Sequence, residues 1–389
     1  MSEPIRTRES TVVGEDACSG ARIIRLTGAP AIHHNIYGEV PYMDPSSRYL
    51  MYLQSYKPYG PDELWRADLQ THQLTLMAEN LPGIRGVAIS ADQKFFYFMR
   101  MYGNDDFEIV RMDMESFEEE VFRIDGPDNC RSLGSVTPDN RYYIHSTWLD
   151  IPRFGIARYD LEQGTCEIIE ERDDIHNAHP QIEPGEGEIV CIQQNRGSQW
   201  EDGQCVCSTG ELGATLYFMD INGENRQELP IGEPHTWRCQ GHQCWIGMTG
   251  ELLFTVSEAM PGASLAEQEA RYGRAVKRGN MYAIAPGDDQ PRVVSTGFRF
   301  THPNVSRDGR FFVADTHPEG DLVVGSIKTG RARKLCETGT TFSSAQYTHP
   351  HPYFSPDCKW VIYNSDSTGV PHLYAASVPE GLLEELEQG

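Results

Sequence analysis

A short phrase recurs seven times along this chain of 389 residues. Each copy joins a turn rich in Pro, Asp or Gly to a run of aromatic and β-branched residues, which is typical of a tight turn entering a β-strand. The copies begin at Met43, Ile89, Val136, Ile182, Ile246, Val305 and Phe354. Because a four-stranded propeller blade takes about 40–50 residues, this spacing predicts an all-β fold, a seven-bladed β-propeller.

The two ends of the chain indicate how the ring closes. The last copy of the outer hairpin, which starts at His372, runs out of chain before its outer strand, whereas residues 21–27 form a strand without a hairpin of its own. We therefore expect the N-terminal strand to complete the last blade, because closure removes an exposed sheet edge. A closed ring is one cooperative unit, so a single domain over residues 1–389 is predicted.

Composition excludes several classes of protein. A formal net charge of −24 argues against a nucleic-acid partner, and it requires a locally positive pocket for any anionic ligand. The chain shows no leader-like apolar region near its start and no apolar run of about 18 residues, so we expect a cytoplasmic protein without a membrane partner. The ten cysteines lack the paired spacing of a zinc site and are interpreted as reduced fillers.

Two segments depart from the blade rhythm. Residues 195–205 lengthen the fourth unit and residues 260–272 lengthen the fifth, where Ser264 and Glu267 predict a capped helix. Such loops either shape a binding site on one rim or are ordinary surface insertions. The acidic residues 380–387 predict a short helix packed on the last blade or on another subunit of a homo-oligomer.

Histidines concentrate in the later units. His349 and His351 lie two residues apart, so a strand would project both from one face. His302 holds the corresponding position before the sixth copy, and Gln346 lies three residues before His349. Three imidazole nitrogens and an amide oxygen would suit Mn²⁺ or, alternatively, Ni²⁺, Fe²⁺ or Zn²⁺.

His242 directly precedes the fifth copy, which places it near the same central funnel. Imidazole has the side-chain pKa closest to neutrality, so His242 is the candidate general base. His33, His34 and His179 precede other copies in the same way. These three either line the funnel or are inner-strand residues that face the channel.

The chain resembles the oligogalacturonate lyase family over nearly its whole length. The stretch from Asp16 to Thr27 is similar to the N-terminal strand of that family, and the stretch from Gln346 to Asp357 is similar to its C-terminal signature. The resemblance implies a manganese ion held by the ligand set His302, Gln346, His349 and His351. It also implies that His242, before Trp245, removes the C5 proton of a uronic acid so that β-elimination cleaves the anionic oligosaccharide.

One position departs from the family pattern. Thr215 stands where the family has an arginine that neutralises a substrate carboxylate. We expect Arg196, in the lengthened loop just upstream, to supply that charge. The departure also leaves open a different uronide as substrate.

Two further classes of function stay open. A non-catalytic propeller similar to TolB-like or WD-type scaffolds would use a rim for protein contacts. A metal-dependent carbohydrate hydrolase or epimerase would use the same ion on a different bond. The repeated placement of histidines at equivalent positions favours the metal-dependent lyase over the scaffold.

Overall fold

The computed structural model describes residues 5–58, 60–102, 106–127, 129–232, 235–257 and 280–388, and these fold into antiparallel β-sheets. The helix predicted in residues 260–272 lies outside the described residues. In chain order the strands are β1 (Arg6–Thr7), β2 (Thr11–Glu15), β3 (Arg22–Arg25), β4 (Ile32–His34), β5 (Tyr49–Ser55), β6 (Asp62–Asp68), β7 (Leu74–Leu81), β8 (Ala88–Ile89), β9 (Phe95–Tyr102), β10 (Asp106–Asp113), β11 (Glu119–Phe122), β12 (Ser135–Val136), β13 (Tyr142–Trp148), β14 (Phe154–Asp160), β15 (Thr165–Arg172), β16 (Gln181–Ile182), β17 (Ile189–Asn195), β18 (Gln199–Glu201), β19 (Gln204–Cys207), β20 (Ala214–Asp220), β21 (Gln227–Glu228), β22 (Cys239–Trp245), β23 (Leu252–Val256), β24 (Met281–Ile284), β25 (Arg292–Ser295), β26 (Phe300–Val305), β27 (Phe311–Thr316), β28 (Asp321–Ser326), β29 (Ala332–Glu337), β30 (Tyr353–Phe354), β31 (Trp360–Ser365) and β32 (His372–Ser377).

Most sheets are meanders whose neighbouring strands follow one another in sequence, which is the construction of β-propeller blades. Their strand orders are β1-β7-β6-β5-β4, β11-β10-β9-β8, β12-β13-β14-β15, β16-β17-β20-β22-β23-β24-β25, β2-β3-β32-β31-β30 and β26-β27-β28-β29. The longest path contains two successive repeat units, which are joined between β20 and β22 by the single pair Ala214↔Cys239. Strands β18 and β19 form a separate hairpin within the lengthened fourth unit.

The repeated phrase builds its turn through the aspartate side chain. In the first copy Asp44 Oδ1 accepts hydrogen bonds from the backbone N–H groups of Arg48 and Tyr49, which fixes the entry to β5. In the following strand Leu50, Met51, Tyr52 and Leu53 are all fully buried. Both faces of this strand are covered because each sheet packs between two neighbours, so the run is apolar throughout rather than alternating.

The two ends of the chain meet in one sheet. Strand β3 pairs antiparallel with β32 through Ile23↔Ala376, Ile24↔Ala375 and Arg25↔Tyr374. Strand β2 then pairs with β3 on the outside. The outer part of the last sheet is therefore supplied by residues near the N-terminus.

The acidic C-terminal segment forms a helix over Leu382–Gln388. Its buried residues Leu382, Leu383 and Leu386 join the apolar cluster that β27–β29 share with the last sheet. Arg310 pairs with Glu387 and Arg333 with Glu385, so the acidic face meets cations of the sixth unit. The helix was expected on the last blade or on another subunit, and the structure shows it packed within the chain, mainly against the sixth unit and in an apolar cluster shared with the last sheet.

Two chemical features of the chain bear on its environment. All ten cysteines carry free thiols, and half of them are buried. Within the described ranges, no helix has both the length and the apolar character needed to cross a membrane.

Candidate metal centre

Three histidines from two successive repeat units converge in one cluster. His302 lies in β26, and His349 and His351 precede β30. One ring nitrogen from each of the three lies within 4.8 Å of the others, a separation at which a single cation could be bound by all three. The ring centroids of His302 and His351 are 4.3 Å apart, and those of His302 and His349 are 5.4 Å apart.

The backbone that brings His349 and His351 together is not a strand, so the expected route to this geometry was wrong. A 3₁₀ helix, Gln346–Thr348, ends just before His349, and His351 has a φ of 42°, in the left-handed region. Pro350 and Pro352 have no N–H to donate to a sheet ladder, which favours a turn here. The two imidazoles converge through this turn, and a positive φ at a non-glycine residue is often associated with a functional site.

His302 is fixed by a buried carboxylate that the sequence analysis did not single out. Its Nδ1–H donates to Asp315 at 2.9 Å, and Asp315 also accepts from the His302 backbone N–H. Asp315 lies on the adjacent strand β27 and is fully buried, and burial raises its pKa to about 7. This bond leaves Nε2 of His302 available as a ligand, an arrangement common among metal-binding histidines.

The other two imidazoles each have one buried nitrogen without a hydrogen-bond partner. These atoms are Nδ1 of His349 and Nε2 of His351. The opposite nitrogen of His349, Nε2, donates to the Ser343 carbonyl at 2.7 Å and so orients the ring. Buried polar atoms are rarely left unpaired, and three free imidazole nitrogens fit a divalent transition-metal ion. The residues present therefore fit the predicted ion.

The fourth expected ligand lies at the rim of this cluster. Gln346 is exposed and lines the cavity that contains His242, His302 and His349, which has a volume of about 450 Å³. It also lines the neighbouring cavity that contains His351. The structure thus places Gln346 on the lining of both cavities that the three histidines border.

Aromatic side chains wall the cluster and exclude water from part of it. Tyr37 is buried with its ring centroid 4.4 Å from that of His351, and Phe342 stacks on His349 at 4.5 Å. Burial lowers the pKa of His302 and of His351 well below the usual range, and neighbouring imidazoles reinforce the shift. Both rings are consequently neutral at physiological pH, which is the form that binds a metal.

His242 lies against this cluster, as its position before the fifth copy led us to expect. Its ring centroid is 4.1 Å from that of His302, and its Nδ1 lies 3.1 Å from the Thr301 hydroxyl. Burial, followed by the nearby imidazoles of His302 and His179, lowers its pKa well below the usual value. His242 is therefore neutral and able to accept a proton.

The three earlier histidines occupy different environments. His179 bonds Glu39 at 2.7 Å beside Tyr37, close enough to lower the pKa of His242 by like-charge repulsion. His34 lines the cavity that also contains His351. His33 is fully buried and bonded to Gln54, which makes it an inner packing residue.

Arg196 does not line the histidine cavity as the structure describes it. Its guanidinium donates to the carbonyl oxygens of Gly213 and Leu212, which holds it against the loop before β20. The Arg196 donors that were expected to bind a substrate carboxylate are therefore already used in hydrogen bonds to the backbone. Thr215 is buried and its hydroxyl donates to the Ile231 carbonyl, so this side chain is directed into the sheet.

Comparison with known proteins finds relatives along nearly the whole chain. The oligogalacturonide lyase of Pectobacterium atrosepticum is 22% identical over 415 residues, covering 95% of this chain and 96% of that protein. The structure of an oligogalacturonate lyase from Vibrio parahaemolyticus superposes with a TM-score of 0.73 at 20% identity, covering 97% of this chain and 99% of that one. An oligogalacturonate lyase in complex with manganese gives 0.73 at 19% identity, covering 98% and 99%. No family model matches the chain. The resemblance predicted from the sequence motifs is confirmed, and the structural likeness shows a shared fold.

Proposed function

We propose that this chain, whose relatives are oligogalacturonate lyases, is a metal-dependent lyase that cleaves short uronic-acid oligosaccharides by β-elimination. The observation that carries the proposal is the cluster of His302, His349 and His351, which presents unpaired ring nitrogens beside the neutral His242. Gln346 is the proposed fourth ligand. Mn²⁺ is the proposed ion, since one of the similar structures is a manganese complex.

The proposed reaction removes a proton next to a carboxylate. A divalent cation bound by the three histidines would supply positive charge that stabilises negative charge developing on the substrate carboxylate. His242 would accept the C5 proton on Nε2 in the tautomer whose Nδ1–H is donated to the Thr301 hydroxyl, 3.1 Å away. The C5–H electron pair forms the C4=C5 double bond, the C4–O bond breaks, and the leaving oxygen takes a proton from solvent.

The surrounding residues support this division of roles. Asp315 keeps the His302 ring in the orientation that directs Nε2 away from the carboxylate. Tyr37 and Phe342 restrict water near the imidazoles, which strengthens electrostatic interactions within the site.

We infer further that the repeat closes as a seven-bladed propeller comprising one domain. The pairing of β3 with β32 supports closure by the N-terminal strand. The two repeat units within the longest sheet path support the count of blades.

The experiment that tests the function is elimination on a defined substrate. Purified protein with Mn²⁺ is incubated with α-1,4-linked trigalacturonate, and ultraviolet absorbance of a 4,5-unsaturated uronate is followed. The proposal expects absorbance to rise, to stop on chelation and to return when Mn²⁺ is added back, with neutral galactotriose giving none. Reducing sugar released without that absorbance would indicate a hydrolase instead, and no change with any ion would reject the enzyme.

A further inference from the structure

A second cleft opens beside the histidine cavity and shares one wall residue with it. Gln240, at the start of β22, lines both spaces. The cleft has a volume of about 690 Å³, and residues of the second, third, fourth and fifth repeat units line it. The residues that matter to its chemistry are Arg85, Arg131, Trp148, His176, Trp200 and Arg238.

The cleft is positively charged in an otherwise acidic chain. Arg85, Arg131 and Arg238 are exposed and line it, although the chain carries a formal charge of −24. Among the described residues, neither Arg85 nor Arg131 forms an ion pair with a carboxylate. Although Arg131 is exposed overall, partial desolvation of its guanidinium lowers its pKa, and repulsion from Arg85 adds to that shift, so the two cations lie close together. Two adjacent cations without a carboxylate favour an anion between them.

The same cleft contains buried polar atoms without partners. These are Nδ1 of His176, Oε1 of Gln193, Nε1 of Trp200 and Oε1 of Gln240. The indole N–H can only donate, whereas the amide oxygens can only accept. A ligand with both carboxylate and hydroxyl groups carries acceptors and donors, the two kinds of partner that these side chains lack.

The walls of the cleft are held rigidly by packing. The Arg131 guanidinium lies 4.2 Å from the centre of the Trp148 ring, and Trp148 meets Trp200 edge to face at 5.4 Å. Trp200 belongs to the β18–β19 hairpin of the lengthened fourth unit. Arg196 ties the Leu212–Gly213 backbone in place behind this wall. The insertion therefore forms part of the cleft.

We propose that this cleft binds the carboxylate and hydroxyl groups of a second uronic acid residue of the substrate. This inference rests on the proposed function, because it extends the substrate from the metal centre past Gln240 to Arg131 and Arg85. The arginines are positioned to select acidic over neutral or methyl-esterified sugars, and they act in binding rather than in proton transfer.

The test compares Arg131→Gln and Arg85→Gln with Arg153→Gln. Arg153 is an arginine of the third unit that pairs with Asp150 and Glu171 and does not line the cleft, so it controls for the loss of one positive charge. Lyase kinetics and calorimetric titration are measured with trigalacturonate, with its methyl ester and with galactotriose. Because a charge-assisted hydrogen bond is lost, each cleft variant is expected to raise KM and Kd for trigalacturonate by about tenfold or more. The effect on kcat should be smaller, and Arg153→Gln should match the wild type.

The two proposals fail in different ways. Wild-type protein that binds trigalacturonate with the expected arginine dependence but releases no unsaturated product would overturn the lyase and keep the cleft. Active protein whose KM for trigalacturonate is the same in both cleft variants and in Arg153→Gln would overturn the cleft and keep the lyase. Cleft variants that lose equal binding affinity for trigalacturonate and for galactotriose would also overturn the cleft proposal, since the arginines would then not recognise a carboxylate.

Discussion

Asp315 accepts the Nδ1–H of His302 at 2.9 Å, and both side chains are buried on adjacent strands. The bond decides which imidazole nitrogen is left for a ligand. A metal ion at this cluster would therefore depend on Asp315 although no role as a direct ligand is proposed for it.

Replacing Asp315 should weaken metal binding without abolishing it. Asp315→Asn keeps the size of the side chain but removes the charge that fixes the His302 tautomer, so Mn²⁺ affinity should fall about 10–100-fold. Free Mn²⁺ measured by electron paramagnetic resonance during titration gives the affinity. Asp321→Asn, on the next strand, is the control. Unchanged Mn²⁺ affinity in a folded Asp315→Asn protein would contradict the role given to this carboxylate.

His349→Ala should remove the bound ion while the propeller stays folded. The substitution removes one of three imidazole ligands, and the core clusters of the sheets do not include His349. Elemental analysis after gel filtration should show near-stoichiometric metal in wild type and in His72→Ala, and little in the variant. His72 bonds Ser10 in a surface turn and is a matched control. Full metal content in His349→Ala would rule out the proposed ligand set.

His242→Ala should slow catalysis without loss of the ion. A positioned general base contributes about 10²- to 10⁴-fold in rate, so kcat should fall on that scale while Mn²⁺ content stays unchanged. Thr301→Val should show a smaller loss of kcat, since it removes only the hydroxyl that bonds Nδ1 of His242 and leaves the imidazole in place. Near-normal kcat in a stable His242→Ala protein would show that another group removes the proton.

How far the sequence predicted this site depended on how local each signal was. Turn phrases and apolar runs act within a few residues, so the repeat predicted the propeller sheets well. His302, His349 and His351 were proposed as ligands because equivalent positions in successive units lie close together, and the structure brings the three into one cluster. Asp315 and Tyr37 were missed, since each belongs to an ordinary strand or loop and reaches the site only through tertiary packing.

The same limit applies to the cationic residues. Arg196 was chosen because it lies near Thr215 in sequence, yet its donors bond backbone carbonyls. Arg85 and Arg131 come from units far from Thr215 along the chain, and only the packing of the sheets brings them to one cleft. Proximity in sequence is a poor guide where the packing of repeat units determines proximity in space.

Asp62 should make stability depend on pH in a defined direction. Burial raises its pKa from 3.8 to about 6, so the folded state holds more protons than the unfolded state between these values. Its contribution to the free energy of unfolding therefore falls as pH rises through that window. Asp62→Asn removes the cost of ionising a buried carboxyl group. Relative to wild type, the variant should therefore gain stability as pH rises from about 4 to about 7, by up to about 3 kcal/mol.

Asp68, on the same strand, gives the opposite case. Burial would raise its pKa, but the hydrogen bond from Arg48 and two backbone N–H groups outweigh burial and lower it to about 2. Its stabilising contribution is present at neutral pH and is lost as pH falls, so Asp68→Asn should destabilise the protein at neutral pH. Urea unfolding of both variants at several pH values measures the two trends. If the free energy of unfolding differed by the same amount between wild type and Asp62→Asn at every pH, the assignment to Asp62 would be contradicted.

The proposed reaction is elimination rather than hydrolysis, and the fate of water distinguishes the two. Trigalacturonate is cleaved by the Mn²⁺-loaded protein in ¹⁸O-enriched water, and the fragments are analysed by mass spectrometry. Elimination predicts fragments whose masses sum to that of the substrate, with no ¹⁸O incorporated during bond cleavage. Fragments that together gain one water carrying ¹⁸O would show hydrolysis and would contradict the account.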